Sequence, residues 1–159
     1  MTDPMDALEE LQKAIDAQLV QMNPCELNPH LQVFLDHPNG TTRFTYAQIH
    51  HGKVQATVLA VGADFIEGIR CFQIGYAVAP QYRNKGLGQQ ILQQALAEFR
   101  NGMSRTQLTE FYVEAIVSTD NLPSNKIASS LISQSPTSCT DEDTNEPALQ
   151  YLCKVKCRG

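Results

Sequence analysis

The chain contains 159 residues with a mass of 17.6 kDa, a length that predicts one domain with its own core. Its net charge of −5 and pI of about 5.3 exclude a general nucleic-acid binder, which would need a basic face. We expect no membrane partner, because the sequence has neither a membrane-spanning apolar run nor the apolar centre of a signal peptide. Five cysteines, an odd number without a repeated short spacing, indicate free thiols and a cytoplasmic location.

The first predicted element is a helix over residues 3–21. Asp3 can cap this helix, and Pro4 suits its first turn. Its apolar residues recur at steps of three and four, which predicts a single stripe. The stripe consists of Leu8, Leu11, Ile15, Leu19 and Met22. We expect it to pack on the body of its own domain, and a partner or homodimer surface is the alternative. Prolines and asparagines in residues 23–29 then indicate a turn.

A block rich in strands follows, up to a strand over residues 70–79. The earlier strand-like segments are "LQVFLDH", "TRFTYAQIH" and "VQATVLAVG". The sequences "PNG" and "HGK" between them are typical of tight turns, and "ADFIEG" at 63–68 is predicted to be a loop. This spacing predicts an antiparallel meander.

The second half of the chain alternates helices with strands. We predict helices at 86–100 and 122–132, and strands at 111–118 and in "ALQYLCKVK". A polar, acidic loop precedes the last strand and leaves room for a short strand near Cys139. The order predicts a mixed α/β (α+β) domain over 1–159, in which 1–29 form the N-terminal helix and turn. Cys153 and Cys157 would stand too far apart on a strand to share an ion, so we predict no metal site.

The turn "PQYRNKGLG" links the strand over 70–79 to the helix that follows it. The first residues of a helix carry unpaired N–H groups and a partial positive charge, which suit a phosphate. Arg83 and Lys85 add positive charge, while Gly86 and Gly88 let a ligand approach the backbone closely. The turn therefore predicts an anion site, and a solvated turn with glycines for geometry is the alternative.

Two common phosphate loops do not fit this turn. A nucleoside triphosphatase loop needs lysine and then serine or threonine after its last glycine, whereas Lys85 precedes Gly86. A dinucleotide fingerprint needs a third glycine where Ile91 stands, and a parallel βαβ unit that a meander does not supply.

The stretch "VAPQYRNKGLGQQIL" resembles the acetyl-CoA signature of the GNAT family of N-acetyltransferases. In that signature an arginine or glutamine, then a glycine, then a glycine or alanine wrap the pyrophosphate, and these places fall on Arg83, Gly86 and Gly88. Downstream, "NLPSNKIASSL" is similar to a second segment found in the branch that acetylates ribosomal-protein N-termini. Asn121 and Ser124 take its Asn-x-x-Ser places.

The resemblance implies both a fold and a reaction. The fold would be a mostly antiparallel sheet flanked by helices, in which central parallel strands over 70–79 and 111–118 splay apart. An amine would attack the thioester of acetyl-CoA directly, and CoA would leave as the thiolate. The residues implied to contact acetyl-CoA are Ala77, Val78, Ala79, Arg83, Asn84, Lys85, Gly86, Leu87, Gly88, Gln89 and Asn121.

Catalytic groups are less clearly marked than the acetyl-CoA contacts. By its place in Asn-x-x-Ser, Ser124 is the candidate that protonates the thiolate, and a helix cap is the alternative. Many family members carry a glutamate base where Gln73 stands here, so Glu67 and Glu114 are candidate substitutes acting through a water. Solvated surface carboxylates are the alternative for both. Tyr76 is expected to line the acceptor pocket or to lie in the core.

Three hypotheses of function follow from the sequence. The chain is an acetyl-CoA-dependent N-acetyltransferase, a CoA-binding module without turnover, or a phosphate-binding protein for another nucleotide. Gln73 and the absence of a tyrosine from the helix over 122–132 favour the second. The acceptor stays open among peptide N-termini, lysine, aminoglycosides and polyamines. The acidic segment "TDEDTNE" is expected either to be solvated or to attract a cationic acceptor.

Overall fold

The computed structural model describes residues 3–157, so residues 1, 2, 158 and 159 of the predicted domain lie outside it. Three α-helices are present in this range: α1 (Pro4–Asp16), α2 (Leu87–Met103) and α3 (Leu122–Leu131). The strands are β1 (Asn23–Pro24), β2 (Leu31–Asp36), β3 (Arg43–His50), β4 (Lys53–Ile66), β5 (Ile69–Val78), β6 (Glu110–Ser118), β7 (Thr137–Thr140) and β8 (Pro147–Lys156). The predicted mixed α/β class is confirmed, as is the short strand near Cys139.

The described strands form one sheet in the order β1-β2-β3-β4-β5-β6-β8-β7. Every neighbouring pair is antiparallel except β5 and β6, which run parallel. Their pairing begins at Cys71 with Tyr112 and ends at Gln73 with Glu114. Beyond that point β5 stays paired with β4 and β6 with β8, so the two parallel strands separate towards their carboxyl ends. The predicted splay between the central strands is therefore present.

The prediction of a loop over 63–68 is wrong, because β4 continues to Ile66. Glu67 and Gly68, with φ angles of 50° and 78°, make a two-residue turn directly into β5. Such a turn matches the twist of the flanking strands, so the hairpin needs no longer connection. Asp64 and Phe65 consequently belong to the end of a strand.

Helix α1 is capped as predicted, since Asp3 Oδ1 accepts hydrogen bonds from the N–H groups of Met5 and Asp6. Leu8 and Leu11 are buried and pack against the sheet. Their buried partners are Ala47, Val54 and Ala79. The apolar stripe thus packs on its own domain, which was the favoured prediction.

The predicted extent of this first helix is wrong, because α1 ends at Asp16 rather than at residue 21. Gln18 takes a positive φ of 58°, which ends the helix and turns the chain away. Leu19 is consequently 81% exposed, although its spacing places it on the stripe.

Helix α2 packs against the face of the sheet that carries the main core. Phe99 makes edge-to-face contacts with the rings of Phe44, Phe72 and Phe111. The helix extends beyond the predicted end at residue 100 to Met103, which is 9% exposed and belongs to this core. Burial of Met103 outweighs the helix penalty of about 1 kcal/mol for the glycine that precedes it.

Cys25, Cys71, Cys139 and Cys153 are free thiols, as predicted. Burial raises the pKa of the Cys25 thiol to about 12 and that of the Cys71 thiol to about 11, so both are neutral near pH 7. None of the helices between residues 3 and 157 is long and apolar enough to cross a membrane.

Candidate active site

A cleft of about 760 Å³ opens where β5 and β6 separate, and we call it the front cleft. Its walls come from the carboxyl-terminal half of β5, the turn after it, and the first residues of α2 and α3. Gly86 is the N-cap of α2, with a left-handed φ of 75°. Because glycine has no capping side chain, the first N–H groups of α2 meet the cleft with their partial positive charge uncompensated.

The cationic turn contributes one of its two basic residues to this cleft. Arg83 lines it and folds back onto the end of β5, where its Nε donates to the carbonyl oxygen of Val78 at 2.9 Å. Its Nη2 lies 3.6 Å from Met5 Sδ on α1. Lys85 is exposed and does not line the cleft in the described structure.

Most residues that the resemblance implies for acetyl-CoA line the front cleft. They are Ala77, Val78, Arg83, Asn84, Gly86, Leu87, Gly88, Gln89 and Asn121. Ala79 and Lys85 are not among the lining residues of the described chain. Ala79 is instead 5% exposed and packs with α1.

The first turn of α3 forms the opposite wall of the front cleft. Asn121 caps this helix, since its Oδ1 accepts from the N–H of Ser124 at 3.2 Å. The alternative that Ser124 is the cap is therefore wrong, because Ser124 lies inside the first turn and lines the cleft. Tyr76 also lines the cleft, and its hydroxyl donates to the carbonyl oxygen of Ser124 at 2.7 Å. Burial raises the pKa of Tyr76, so its phenol is neutral near pH 7.

A second cavity of about 790 Å³ lies on the other face of the sheet, and we call it the back cavity. Leu59 and Val61 line it, whereas the alternate residues of β4 face α2. The front cleft and the back cavity share four lining residues: Gln73, Ile116, Asp141 and Asp143. The two spaces therefore meet at the gap between β5 and β6.

Glu114 stands at the edge of this gap, where it pairs with Gln73 in the last parallel position before the strands separate. Gln150 Nε2 on β8 donates to Glu114 Oε2 at 2.6 Å, and all three side chains line the back cavity. Glu67 occupies the turn between β4 and β5 and lines neither space. The structure thus brings Glu114, but not Glu67, to the place where the two spaces meet.

Sequence reasoning missed Gln150 and Asp64 as lining residues of the back cavity. Gln150 reaches Glu114 through the antiparallel pairing of β6 and β8, which joins distant parts of the chain. Asp64 was assigned to a loop, so its place at the end of a strand was hidden. Among residues 3–157 no group of three or more His, Cys, Asp or Glu side chains is arranged to hold a metal ion.

The family profile described as "Acetyltransferase (GNAT) family" matches residues 8–128, about three quarters of the chain. The chain belongs to the GNAT acetyltransferase family. The matched range includes both strands of the gap, the turn before α2 and the first turns of α2 and α3. A comparison with curated proteins found no match.

Solved structures share the fold of this GNAT protein at low sequence identity. A GNAT acetyltransferase from Bacillus anthracis has a TM-score of 0.54 at 14% identity, with 86% of this chain and 99% of that one covered. A protein of Bordetella pertussis assigned to the family has a TM-score of 0.51 at 18% identity, covering 71% and 65%. The Salmonella typhimurium protein yncA, solved with acetyl-CoA, has a TM-score of 0.52 at 15% identity, covering 73% and 65%.

This GNAT protein spans just under two thirds of the Bordetella and Salmonella proteins, at 65% each. Structures of the same fold also include ribosomal-protein alanine acetyltransferases, the branch that the sequence resembles. At these identities the likeness shows the fold of the chain.

Proposed function

We propose that this GNAT protein transfers an acetyl group from acetyl-CoA to a primary amine by direct attack of the amine on the thioester. The observation that carries the proposal is the gap between β5 and β6, where the front cleft meets the back cavity. A donor bound in one space and an amine bound in the other would meet there. Holding both reactants in the reacting geometry removes a large part of the activation free energy of such a reaction.

The front cleft suits a ligand that carries a pyrophosphate. The helix dipole and the uncapped N–H groups of α2 favour an anion, and a Cβ built on Gly86 would meet nothing within 4 Å. That open space leaves room for phosphate oxygens beside the backbone. Arg83 is already at the same wall and can turn from Val78 towards them.

Glu114 is the proposed proton acceptor for the attacking amine. A lysine-like amine has a reference pKa of about 10.4 and an α-amine one of about 8, so most amine molecules are protonated near pH 7. Such an amine must lose a proton before it attacks. Glu114 can take this proton directly or through a water, because it lines the back cavity at the gap. Gln150 holds the carboxylate in place.

Ser124 is the proposed hydrogen-bond donor to the leaving thiolate. It lines the front cleft, and its N–H is engaged by Asn121 while its carbonyl oxygen accepts from Tyr76. With both backbone groups held, the backbone of Ser124 is fixed on the cleft wall, and its hydroxyl can donate from there. The thiolate finally takes up a proton from solvent, while the proton lost by the amine goes to Glu114.

The proposal is tested by two measurements on the same protein. Calorimetric titration should give tighter binding for acetyl-CoA and CoA than for ADP, and thiol release should follow when a primary amine is added. Glu114→Gln should lower kcat/KM by about 10² to 10⁴ with acetyl-CoA affinity unchanged, as expected for loss of a general base. Glu67→Gln is the matched control and should leave both unchanged.

Three other results would each contradict part of this proposal. Binding of CoA without thiol release for any amine would favour the module without turnover. Equal affinity for CoA and ADP would favour a site for another nucleotide. A loss of turnover in Glu67→Gln with normal turnover in Glu114→Gln would move the base to the β4–β5 turn.

A further inference from the structure

The back cavity combines apolar walls with an unusual excess of carboxylates. Leu59, Val61, Phe65 and Ile116 supply apolar surface. The acidic lining residues are Asp64, Glu114, Asp141, Glu142 and Asp143. The composition suits a ligand with an aliphatic chain and positive charge.

A single cation faces these carboxylates among the lining residues within the described part of the chain, and it is already engaged. Arg43 makes a two-pronged ion pair with Asp36, with its Nε and Nη2 at 3.0 and 2.7 Å from the two carboxylate oxygens. Its charge is therefore largely offset by Asp36, which does not line the cavity. The side chains that line the back cavity therefore carry a net negative charge.

The carboxylates stand at separate places around the back cavity. Glu114 lies at the gap, Asp64 lies at the far end of β4, and Glu142 follows β7 in the loop before β8. One ammonium at Glu114 would leave the other two carboxylates without a counter-charge. A second positive charge, several bonds away from the reacting nitrogen, could pair with one of them.

We propose that the acceptor of this GNAT protein is an aliphatic diamine or polyamine, whose reacting nitrogen lies at Glu114 and whose second ammonium lies at Asp64 or at Glu142. This inference rests on the proposed acetyl transfer. Leu59 and Val61 contact the methylene chain between the two nitrogens. One amine nitrogen forms the new C–N bond as the C–S bond of acetyl-CoA breaks, and the second nitrogen stays charged throughout.

Three amines of one length test the second charge, because they share the reacting end and differ at the other. They are 1,5-diaminopentane, pentylamine and 5-aminopentanoate, which carry a cation, a methyl group and an anion there. We expect kcat/KM, measured by thiol release, to fall by about tenfold or more at each step, as a single charge interaction at a partly exposed site allows. The differences should shrink as salt is added, because screening weakens them.

Two variants locate the second charge. Asp64→Asn and Glu142→Gln change exposed side chains, so folding is not at risk. The variant that removes the partner of the second ammonium should lower kcat/KM for the diamine towards the value for pentylamine, and both variants should leave kcat/KM for pentylamine unchanged. Glu9→Gln, an equal charge change on the exposed side of α1, is the control and should alter neither amine.

The outcomes separate this inference from the proposed reaction. Equal kcat/KM for the diamine and pentylamine would overturn the inference and leave acetyl transfer standing. A diamine preference that survives in both Asp64→Asn and Glu142→Gln would also overturn it. Thiol release from no amine, despite acetyl-CoA binding, would overturn the proposed function and the inference together.

Discussion

Gly86 and Gly88 line the front cleft, and a side chain at either position would have a different effect. At Gly86 the φ of 75° disfavours any other residue, although a Cβ there would meet nothing within 4 Å. At Gly88 a Cβ would lie 3.1 Å from Ile127 Cδ1 and 3.4 Å from Val78 Cγ2. A side chain at Gly88 would therefore require Ile127 to shift by a few tenths of an ångström, whereas one at Gly86 would extend into open space.

That open space makes Gly86 the place to test the anion site. Asp and Asn have nearly the same size, and both tolerate a left-handed backbone better than most residues. Gly86→Asp should raise the Kd for acetyl-CoA by about 10- to 100-fold, because it places a negative charge beside the proposed pyrophosphate. Gly86→Asn should change it by about threefold at most. Calorimetric titration compares the two, and equal weakening would show that charge at Gly86 does not matter.

The sequence allowed these residue-scale predictions because their signals are local. Arg83, Gly86 and Gly88 belong to one continuous turn, and the cap of α3 lies three residues from the N–H that it accepts. Ser124, Glu114 and Tyr76 were also selected as candidates, but the hydrogen bonds that Tyr76 and Gln150 make to Ser124 and Glu114 were not predicted. Tyr76 and Gln150 reach them from 48 and 36 residues away along the chain, a separation that no local pattern reports.

At the scale of elements, α2 is joined to the segment after β1 by a buried carboxylate. Glu98 is 5% exposed, and its oxygens accept from the backbone N–H groups of Leu27 and Asn28 at 3.0 and 2.6 Å. The side-chain amide of Asn28 donates a third bond at 3.1 Å. These bonds attach the segment before β2 to α2. The first turn of the same helix lines the front cleft.

Replacing Glu98 by Gln should therefore destabilise the whole domain. The amide of Gln has one oxygen, so its NH₂ group would face a backbone N–H, and at least one buried donor would lose its acceptor. We expect the free energy of unfolding to fall by about 1 to 3 kcal/mol in urea titrations. Glu9→Gln on the exposed side of α1 should change it by less than about 0.5 kcal/mol. Similar losses in both variants would mean that the bonds of Glu98 contribute nothing specific.

The elements themselves were predicted well, and their ends were predicted less well, for a physical reason. Periodicity located α1 and α2 correctly. The positive φ of Gln18 ends α1 earlier than predicted, and burial of Met103 extends α2 beyond Gly102. In β4 the turn at Glu67 and Gly68 needed only two residues, so four predicted loop residues became strand. Each end is decided by packing or by a backbone angle, which apolar spacing does not encode.

At the scale of the whole molecule, one sheet separates the two spaces and one gap joins them. The front cleft lies on the side of α2 and α3, and the back cavity lies on the other face. The gap itself was expected from the resemblance, since its strands and the turn after β5 are continuous stretches of sequence. The charge of the back cavity was not, because β4, β6 and the β7–β8 loop come together only in the folded sheet.

This arrangement predicts that both substrates bind before either product leaves. An amine in the back cavity can reach the thioester through the gap, so no acetylated protein intermediate is needed. Initial rates at several concentrations of both substrates should give intersecting double-reciprocal lines, and acetyl-CoA alone should leave the mass of the protein unchanged. Parallel lines would instead indicate a ping-pong route.

The thiol of Cys139 makes that alternative concrete, because it lines the back cavity and is the one cysteine of the described chain that does so. Burial, reinforced by Asp141 and Glu114, raises the pKa of this thiol, which keeps it in its weakly nucleophilic protonated form. If the amine attacks acetyl-CoA directly, Cys139→Ala should retain kcat/KM to within about twofold. A ping-pong route through Cys139 would instead lose turnover in this variant, because it removes the nucleophile. Loss of turnover in Cys139→Ala, together with an acetyl group found on Cys139 in the parent protein, would show that the acetyl group passes through Cys139 before it reaches the amine.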